Sequence, residues 1–121
     1  MSVDLRTRYL GFELKHPIVA SASPLTSSIE SLKRLQAAGA AAVVLPSLFE
    51  EQIEHEEMAA HNLMMHGAEL SPEAHGFFPE MQSYRTGPDN YLKLIGEAKQ
   101  KLAVPVIASL NGYTPGGWTH F

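Results

Sequence analysis

The sequence predicts an α/β fold in which short buried strands alternate with amphipathic helices. Three apolar runs, at residues 18–20, 42–45 and 104–110, have the composition of strands in a parallel sheet. Each run ends in small or polar residues, and segments with helical periodicity separate the runs. Strand, helix and strand within about 30 residues indicate a right-handed crossover unit, and two such units follow one another.

The composition is that of an ordinary globular domain, with 121 residues of which 45% are hydrophobic and 18% are charged. A net charge of -4 without a Lys/Arg cluster argues against nucleic acid as the main partner. The absence of cysteine excludes disulfides, cysteine-ligated metal centres and a cysteine nucleophile within the chain. Neither a membrane span nor a signal peptide is recognisable, so we expect a soluble cytoplasmic protein with no membrane partner.

The first strand and its loop are the segment around which the rest of the chain is organised. Residues 18–20 form the strand, and Pro24 ends it because proline donates no hydrogen bond to a ladder. Ligands of α/β proteins lie at the carboxyl ends of the strands. The first candidate contacts are therefore Ser21, Ala22 and Ser23. The alternative is that these small residues only fit a tight turn.

Two helices carry clear local signals. Ser27 and Glu30 form a Ser-x-x-Glu capping box, which predicts a helix from about residue 28 to 38. Gly39 follows, where a left-handed cap is favoured. The second helix is predicted to begin at Pro88. Its apolar stripe consists of Tyr91, Leu94, Ile95, Ala98 and Leu102.

The remaining segments carry weaker signals. A small hairpin is predicted to turn at Leu10–Gly11, and Pro46 is expected to end the second strand. Phe49, Ile53 and Leu63 indicate a further helix, and residues 67–87 are predicted to form a long loop. The glutamates at the start of that helix are interpreted as a solvated face near its positive dipole end. They are Glu50, Glu51, Glu54, Glu56 and Glu57.

Histidines near these glutamates raise the question of a metal site. The histidines are His55, His61, His66 and His75. A His-Glu-x-x-His motif places two imidazoles one helical turn apart, whereas the spacings here are six and five residues. We therefore expect no metal site. The chain also lacks a Walker loop, a dinucleotide fingerprint and a Gly-x-Ser-x-Gly elbow, so we expect no self-sufficient catalytic set.

Three segments, taken in order, resemble the N-terminal part of the dihydroorotate dehydrogenase family, most closely the bacterial dihydroorotate dehydrogenase-like proteins. The segments are residues 15–24 (KHPIVASASP), 38–50 (AGAAAVVLPSLFE) and 105–112 (PVIASLNG). The resemblance implies the N-terminal part of a (β/α)8 TIM barrel, with about three parallel strands. Residues 1–16 would be the hairpin that closes the barrel bottom, and 1–121 would be a single incomplete domain.

The resemblance also implies an FMN-dependent oxidoreductase of pyrimidine biosynthesis, which transfers a hydride from a small-molecule substrate to the flavin. The expected cofactor contacts are Ala22, Ser23, Ser47 and Asn111. The catalytic base and most of the phosphate site of the family would lie beyond Phe121. We therefore expect no catalytic residue in this chain and no activity of the chain alone.

Two positions depart from the family pattern. Pro46 stands where the family has a lysine near flavin and substrate, and Pro79 stands near the position of the substrate-binding asparagine. Both departures argue against dihydroorotate itself as the substrate.

Two other functions are compatible with the sequence. The chain could be a non-catalytic interaction module whose open strand edges pair with a second copy, giving a homo-oligomer, or with another chain that completes a barrel. Alternatively, it could belong to a non-flavin TIM-barrel enzyme that acts on a phosphorylated substrate.

Overall fold

The chain folds around a two-stranded parallel sheet with helices packed on it, preceded by a β-hairpin. The computed structural model describes residues 2–67 and 87–119. Its elements are β1 (Thr7–Tyr9), β2 (Phe12–Leu14), a 3-10 helix (Pro24–Thr26), α1 (Ile29–Ala37), β3 (Val43–Phe49), α2 (Glu50–Gly67), α3 (Pro88–Lys101) and β4 (Val106–Asn111). Residues 68–86, which make up nearly all of the predicted long loop at 67–87, lie outside the described residues.

The prediction of a TIM-barrel segment is wrong. The described strands form two separate two-stranded sheets, antiparallel β1–β2 and parallel β3–β4, with no barrel-like arrangement. The predicted strand at 18–20 forms a single parallel bridge, between Ala20 and Val43, with three backbone hydrogen bonds to residues 41–44. The chain then turns into the 3-10 helix that begins at Pro24.

The predicted hairpin at Leu10–Gly11 is confirmed. Tyr9 of β1 pairs with Phe12 of β2, and the two turn residues have φ values of 50° and 82°. Positive φ at both central positions matches the twist of the flanking strands, which is why glycine is favoured there. Leu14 at the end of the hairpin is buried and packs beside Ala41 and Ala42, just before β3.

Helix α1 begins one residue later than the predicted capping box requires. Ser28 is the N-cap, and its Oγ accepts a hydrogen bond of 3.3 Å from the Ser31 N–H. The Glu30 carboxylate points along the helix instead and pairs with Arg34 at 2.9 Å. The predicted box at Ser27 and Glu30 is therefore wrong, although the helix itself is confirmed.

The predicted left-handed cap at Gly39 is confirmed. Gly39 has a φ of 105°, and its N–H donates to the Gln36 carbonyl at 3.0 Å. The Ala40 N–H reaches back to the Leu35 carbonyl at 3.1 Å, which completes a Schellman motif. Gln36 also connects α1 to the chain before β4, because its Oε1 accepts from the Ala103 N–H at 2.7 Å.

The second predicted strand does not end at Pro46. Strand β3 continues to Phe49, because the β3–β4 pairing shifts register between Val44 and Ser47. Leu45 and Pro46 of β3 lie between these two pairs, whereas only Ala108 of β4 does, so β3 carries one extra residue there. A bulge tolerates proline because the extra residue needs no ladder hydrogen bond.

The core lies between the sheet and the two helices α1 and α3. Its buried members are Leu32, Val43, Leu45, Ala98 and Leu102. The predicted stripe of α3 faces this core, with Tyr91, Leu94 and Ile95 packed against it. Two of the apolar residues expected on α2 do not face this core. Leu63 is 57% exposed, and Phe49 belongs to β3. No helix in the described ranges is long and apolar enough to cross a membrane.

Two glycines provide a matched test of the α1 cap. An added Cβ would meet nothing within 4 Å at either Gly39 or Gly96, so the two sites differ mainly in backbone conformation. We expect Gly39→Ala to lower the free energy of unfolding by roughly 1 kcal/mol or more, because its φ is positive. Gly96→Ala, inside α3, should raise it by about 0.5–1 kcal/mol. Urea denaturation measures both changes, and a loss of stability at Gly96 as large as that at Gly39 would contradict this explanation.

Leu32 tests the position of the core. Leu32 is 0% exposed, whereas Leu92 on the outside of α3 is 57% exposed. We expect Leu32→Ala to lower the free energy of unfolding by about 2–5 kcal/mol through lost burial and a residual cavity. Leu92→Ala should change it by no more than about 0.5 kcal/mol. Chemical denaturation of both variants measures the difference, and equal losses would place the core elsewhere.

Candidate functional site

The carboxyl end of the β3–β4 pair is the candidate site. Beyond the bulge, Ser47 pairs with Ser109 and Phe49 pairs with Asn111. Paired residues, and residues two apart along a strand, share one face of a sheet. These four side chains therefore lie on the same face at the end of the strands, where ligands of α/β proteins bind.

Two of the four side chains form a hydroxyl pair. The Oγ atoms of Ser47 and Ser109 are 2.7 Å apart, and both residues are half-buried. The Tyr91 hydroxyl on α3 binds the backbone of Ser109 twice. It accepts from the Ser109 N–H at 3.0 Å and donates to the Ser109 carbonyl at 3.3 Å. Helix α3 thus fixes the strand that carries Ser109 and Asn111.

The other two side chains of this face are open to solvent. Phe49 is 41% exposed and Asn111 is exposed. The face therefore combines a fixed hydroxyl pair, a carboxamide and an accessible aromatic ring. Such a surface offers donors and acceptors to the edge of a polar ring and an apolar contact to its plane.

The other two predicted contacts, Ala22 and Ser23, lie in a different turn. They follow the bridged segment 18–20, which flanks β3 on the side away from β4. The Ser23 N–H donates to Thr26 Oγ1 at 3.2 Å, and its carbonyl accepts from the Thr26 N–H and hydroxyl at 3.0 and 2.9 Å. The structure therefore brings Ser47 and Asn111 together and uses the Ser23 backbone to close the 3-10 turn.

A buried carboxylate next to this site was missed from the sequence. Glu50, the first residue of α2, is 4% exposed and accepts hydrogen bonds from residues 112–119, hereafter the return loop. The donors are the Tyr113 N–H at 2.7 Å, the Thr114 N–H at 3.1 Å and the Thr114 hydroxyl. The Thr114 hydroxyl and then the Tyr113 N–H hold the pKa of Glu50 below its ordinary value.

The return loop and α2 enclose a groove of about 490 Å³, hereafter the acidic groove. Its lining residues are Glu50, Ile53, Glu54, Glu57, Thr114, Pro115, Gly116, Gly117 and Trp118. The Tyr113 hydroxyl donates to Glu54 at 2.7 Å, and this bond is the main cause of the raised pKa of Tyr113. A groove lined by several carboxylates repels anions, so it does not suit a phosphate group.

In the part of the chain that the structure describes, no three histidine, aspartate or glutamate side chains are arranged to hold a metal ion. Ser47, Ser109 and Asn111 also include no group that titrates near neutral pH. Their arrangement suits binding and orientation of a ligand.

Comparison of the chain with known protein families, with curated proteins and with solved structures gave no match.

A double-mutant cycle tests the hydroxyl pair. Removing either hydroxyl leaves its half-buried partner without this hydrogen bond, so Ser47→Ala and Ser109→Ala should each lower the free energy of unfolding by about 1 kcal/mol. The double variant should lose less than the sum, because the second substitution has no pair left to break. Urea denaturation measures all three variants, with exposed Ser2→Ala as the control. Strict additivity would show that the hydroxyls do not interact.

Proposed function

We propose that this chain binds FMN at the carboxyl end of β3–β4 and serves a flavin-dependent oxidoreductase similar to the dihydroorotate dehydrogenase family. The observation that carries the proposal is the shared face of Ser47 and Asn111 at the strand ends. Both residues belong to segments that resemble the family, and both were expected to contact the cofactor. The register of β3 and β4 supports the proposal because it makes them neighbours on one surface.

The chemistry of this face fits the isoalloxazine ring. One edge of that ring carries nitrogen and oxygen atoms, which the Ser47–Ser109 hydroxyls and the Asn111 carboxamide can bind. The exposed ring of Phe49 offers an aromatic contact beside these polar groups. Bound FMN would supply the redox chemistry by accepting a hydride at N5 from a substrate whose neighbouring carbon loses its proton to a base.

The charge distribution constrains how FMN would lie. Glu54 and Glu57 line the acidic groove beside the start of α2, and the chain has a net charge of -4. The FMN phosphate would be repelled from that groove. We therefore propose that the flavin ring lies on the sheet end and that its phosphate points away from α2.

We do not propose dihydroorotate as the substrate of this reaction. Pro46 lies in the bulge of β3 and supplies no positive charge for a substrate carboxylate. The surrounding residues Ser47 and Phe49 are also uncharged. A substrate that needs an ion pair at this position is therefore disfavoured.

A second candidate function is a non-catalytic assembly module, and the exposed apolar side chains favour it. Leu110 on β4 is 47% exposed, and β3 is the only strand paired with β4 among the described residues. Ile18 in the bridged segment is 71% exposed, and Leu10 at the hairpin turn is 63% exposed. Open strand edges beside apolar side chains favour pairing with another chain.

A flavin titration tests the proposed function. We expect FMN to co-elute with the chain in size exclusion. Titrating the chain into FMN should change the flavin fluorescence until it saturates, which gives the affinity. Asn111→Ala should weaken this affinity by roughly 2- to 10-fold, the equivalent of one lost hydrogen bond. Gln100→Ala, on the exposed side of α3, is the matched control and should leave it unchanged.

The outcomes of this titration separate the two candidates. A chain that binds no FMN, or binds it equally well without the Asn111 side chain, contradicts the flavin proposal. A flavin-free dimer or larger assembly supports the assembly module instead.

A further inference from the structure

The Glu50 side chain makes most of the hydrogen bonds that hold the return loop on α2. Two backbone N–H groups of the loop donate to the Glu50 carboxylate, that of Tyr113 at 2.7 Å and that of Thr114 at 3.1 Å. The Thr114 hydroxyl donates to the same carboxylate. One further hydrogen bond reaches α2, from the exposed Tyr113 hydroxyl to Glu54 at 2.7 Å. Two backbone hydrogen bonds lie within the loop, from the Gly117 N–H to the Thr114 carbonyl and from the Thr119 N–H to the Gly116 carbonyl.

The loop is fitted tightly around this carboxylate. A Cβ atom on Gly117 would overlap the Glu50 carboxylate, so only glycine fits the closed loop there. At Gly112, an added Cβ would lie 2.8 Å from Cδ1 of Trp118, which shows that the two ends of the loop are in close contact. The closed form therefore depends both on the Glu50 hydrogen bonds and on the absence of side chains at these glycines.

We propose that Glu50 is an acid-released latch: its ionised carboxylate holds the return loop on α2, and its protonation frees the loop while the sheet and its helices stay folded. The core supports this separation, because Leu32, Val43 and Leu45 are buried between the sheet, α1 and α3. None of these core residues belongs to the return loop or to α2.

Protonation weakens the latch for a direct chemical reason. An ionised carboxylate accepts all three hydrogen bonds, whereas a protonated one carries an O–H donor that faces N–H and hydroxyl donors. The titratable groups around Glu50 are Glu51, Glu54 and Glu57 on α2 and the Tyr113 phenol on the loop. All four are acidic, so none supplies a positive charge that would hold the loop after the carboxylate is neutralised.

The direction of the pH dependence follows from these contacts. The hydrogen bonds keep the pKa of Glu50 below its ordinary value of 4.5. The contribution of Glu50 to closure is therefore complete above that ordinary value and is lost as the pH falls through the lowered pKa of the folded state. The loop stays closed at neutral pH and opens in acid.

Tryptophan fluorescence tests the latch, because Trp118 is the single tryptophan of the chain and lies half-buried in the return loop. In the wild-type protein we expect a red shift of its emission and stronger acrylamide quenching below about pH 4.5, while far-UV circular dichroism still reports folded helices. Glu50→Gln should show the red-shifted emission already at pH 7 and no acid transition. Glu51→Gln, at the exposed neighbouring position of α2, is the matched control and should keep the wild-type transition.

A second variant keeps the test decisive if Glu50→Gln fails to fold. Gly117→Ala should release the loop at pH 7 by steric overlap with Glu50, whereas Gly96→Ala in α3 should keep the wild-type emission. The proposal is overturned if wild-type emission stays constant until the circular dichroism signal is lost. It is also overturned if Gly117→Ala, or a folded Glu50→Gln, keeps the wild-type emission and quenching at pH 7.

Discussion

The missing N–H of Pro46 is the constraint on which the rest of the structure depends. Strand β3 passes through this proline only because its pairing with β4 shifts by one residue there. The shift places Ser47 opposite Ser109 and brings β3 to its end at Phe49. Helix α2 then starts immediately at Glu50, within reach of the loop that leaves β4. One bulge thus sets the geometry of the sheet end, of the hydroxyl pair and of the buried carboxylate.

Local signals predicted the elements well and their assembly poorly. The cap at Gly39, the turn at Leu10–Gly11 and the start of α3 at Pro88 each depend on the conformational preference of one or two residues, so the sequence alone predicts them. The predicted barrel arrangement of the strands was wrong. An apolar run such as 18–20 does not determine how far a strand pairs, and this one forms one bridge with three backbone hydrogen bonds while Ile18 stays exposed.

The candidate site shows the same limit. Ser47 and Asn111 were expected as cofactor contacts from the family resemblance, and both lie in segments that end predicted strands. Glu50 was interpreted as part of a solvated helix face, which is wrong because its burial depends on Tyr113, a contact 63 residues along the chain. The sequence pattern could not predict the hydrogen bonds of Tyr91 either, because its place in an apolar stripe predicts packing of the ring and not the partners of its hydroxyl.

The two hydrogen bonds of the Tyr91 hydroxyl also determine which motions this end of the protein allows. Packed layers commonly slide past one another because apolar contacts have no preferred direction. Here one phenol oxygen binds both the N–H and the carbonyl of Ser109, so a shear of α3 along β4 would break a donor and an acceptor contact together. These two bonds therefore oppose sliding of α3 along β4.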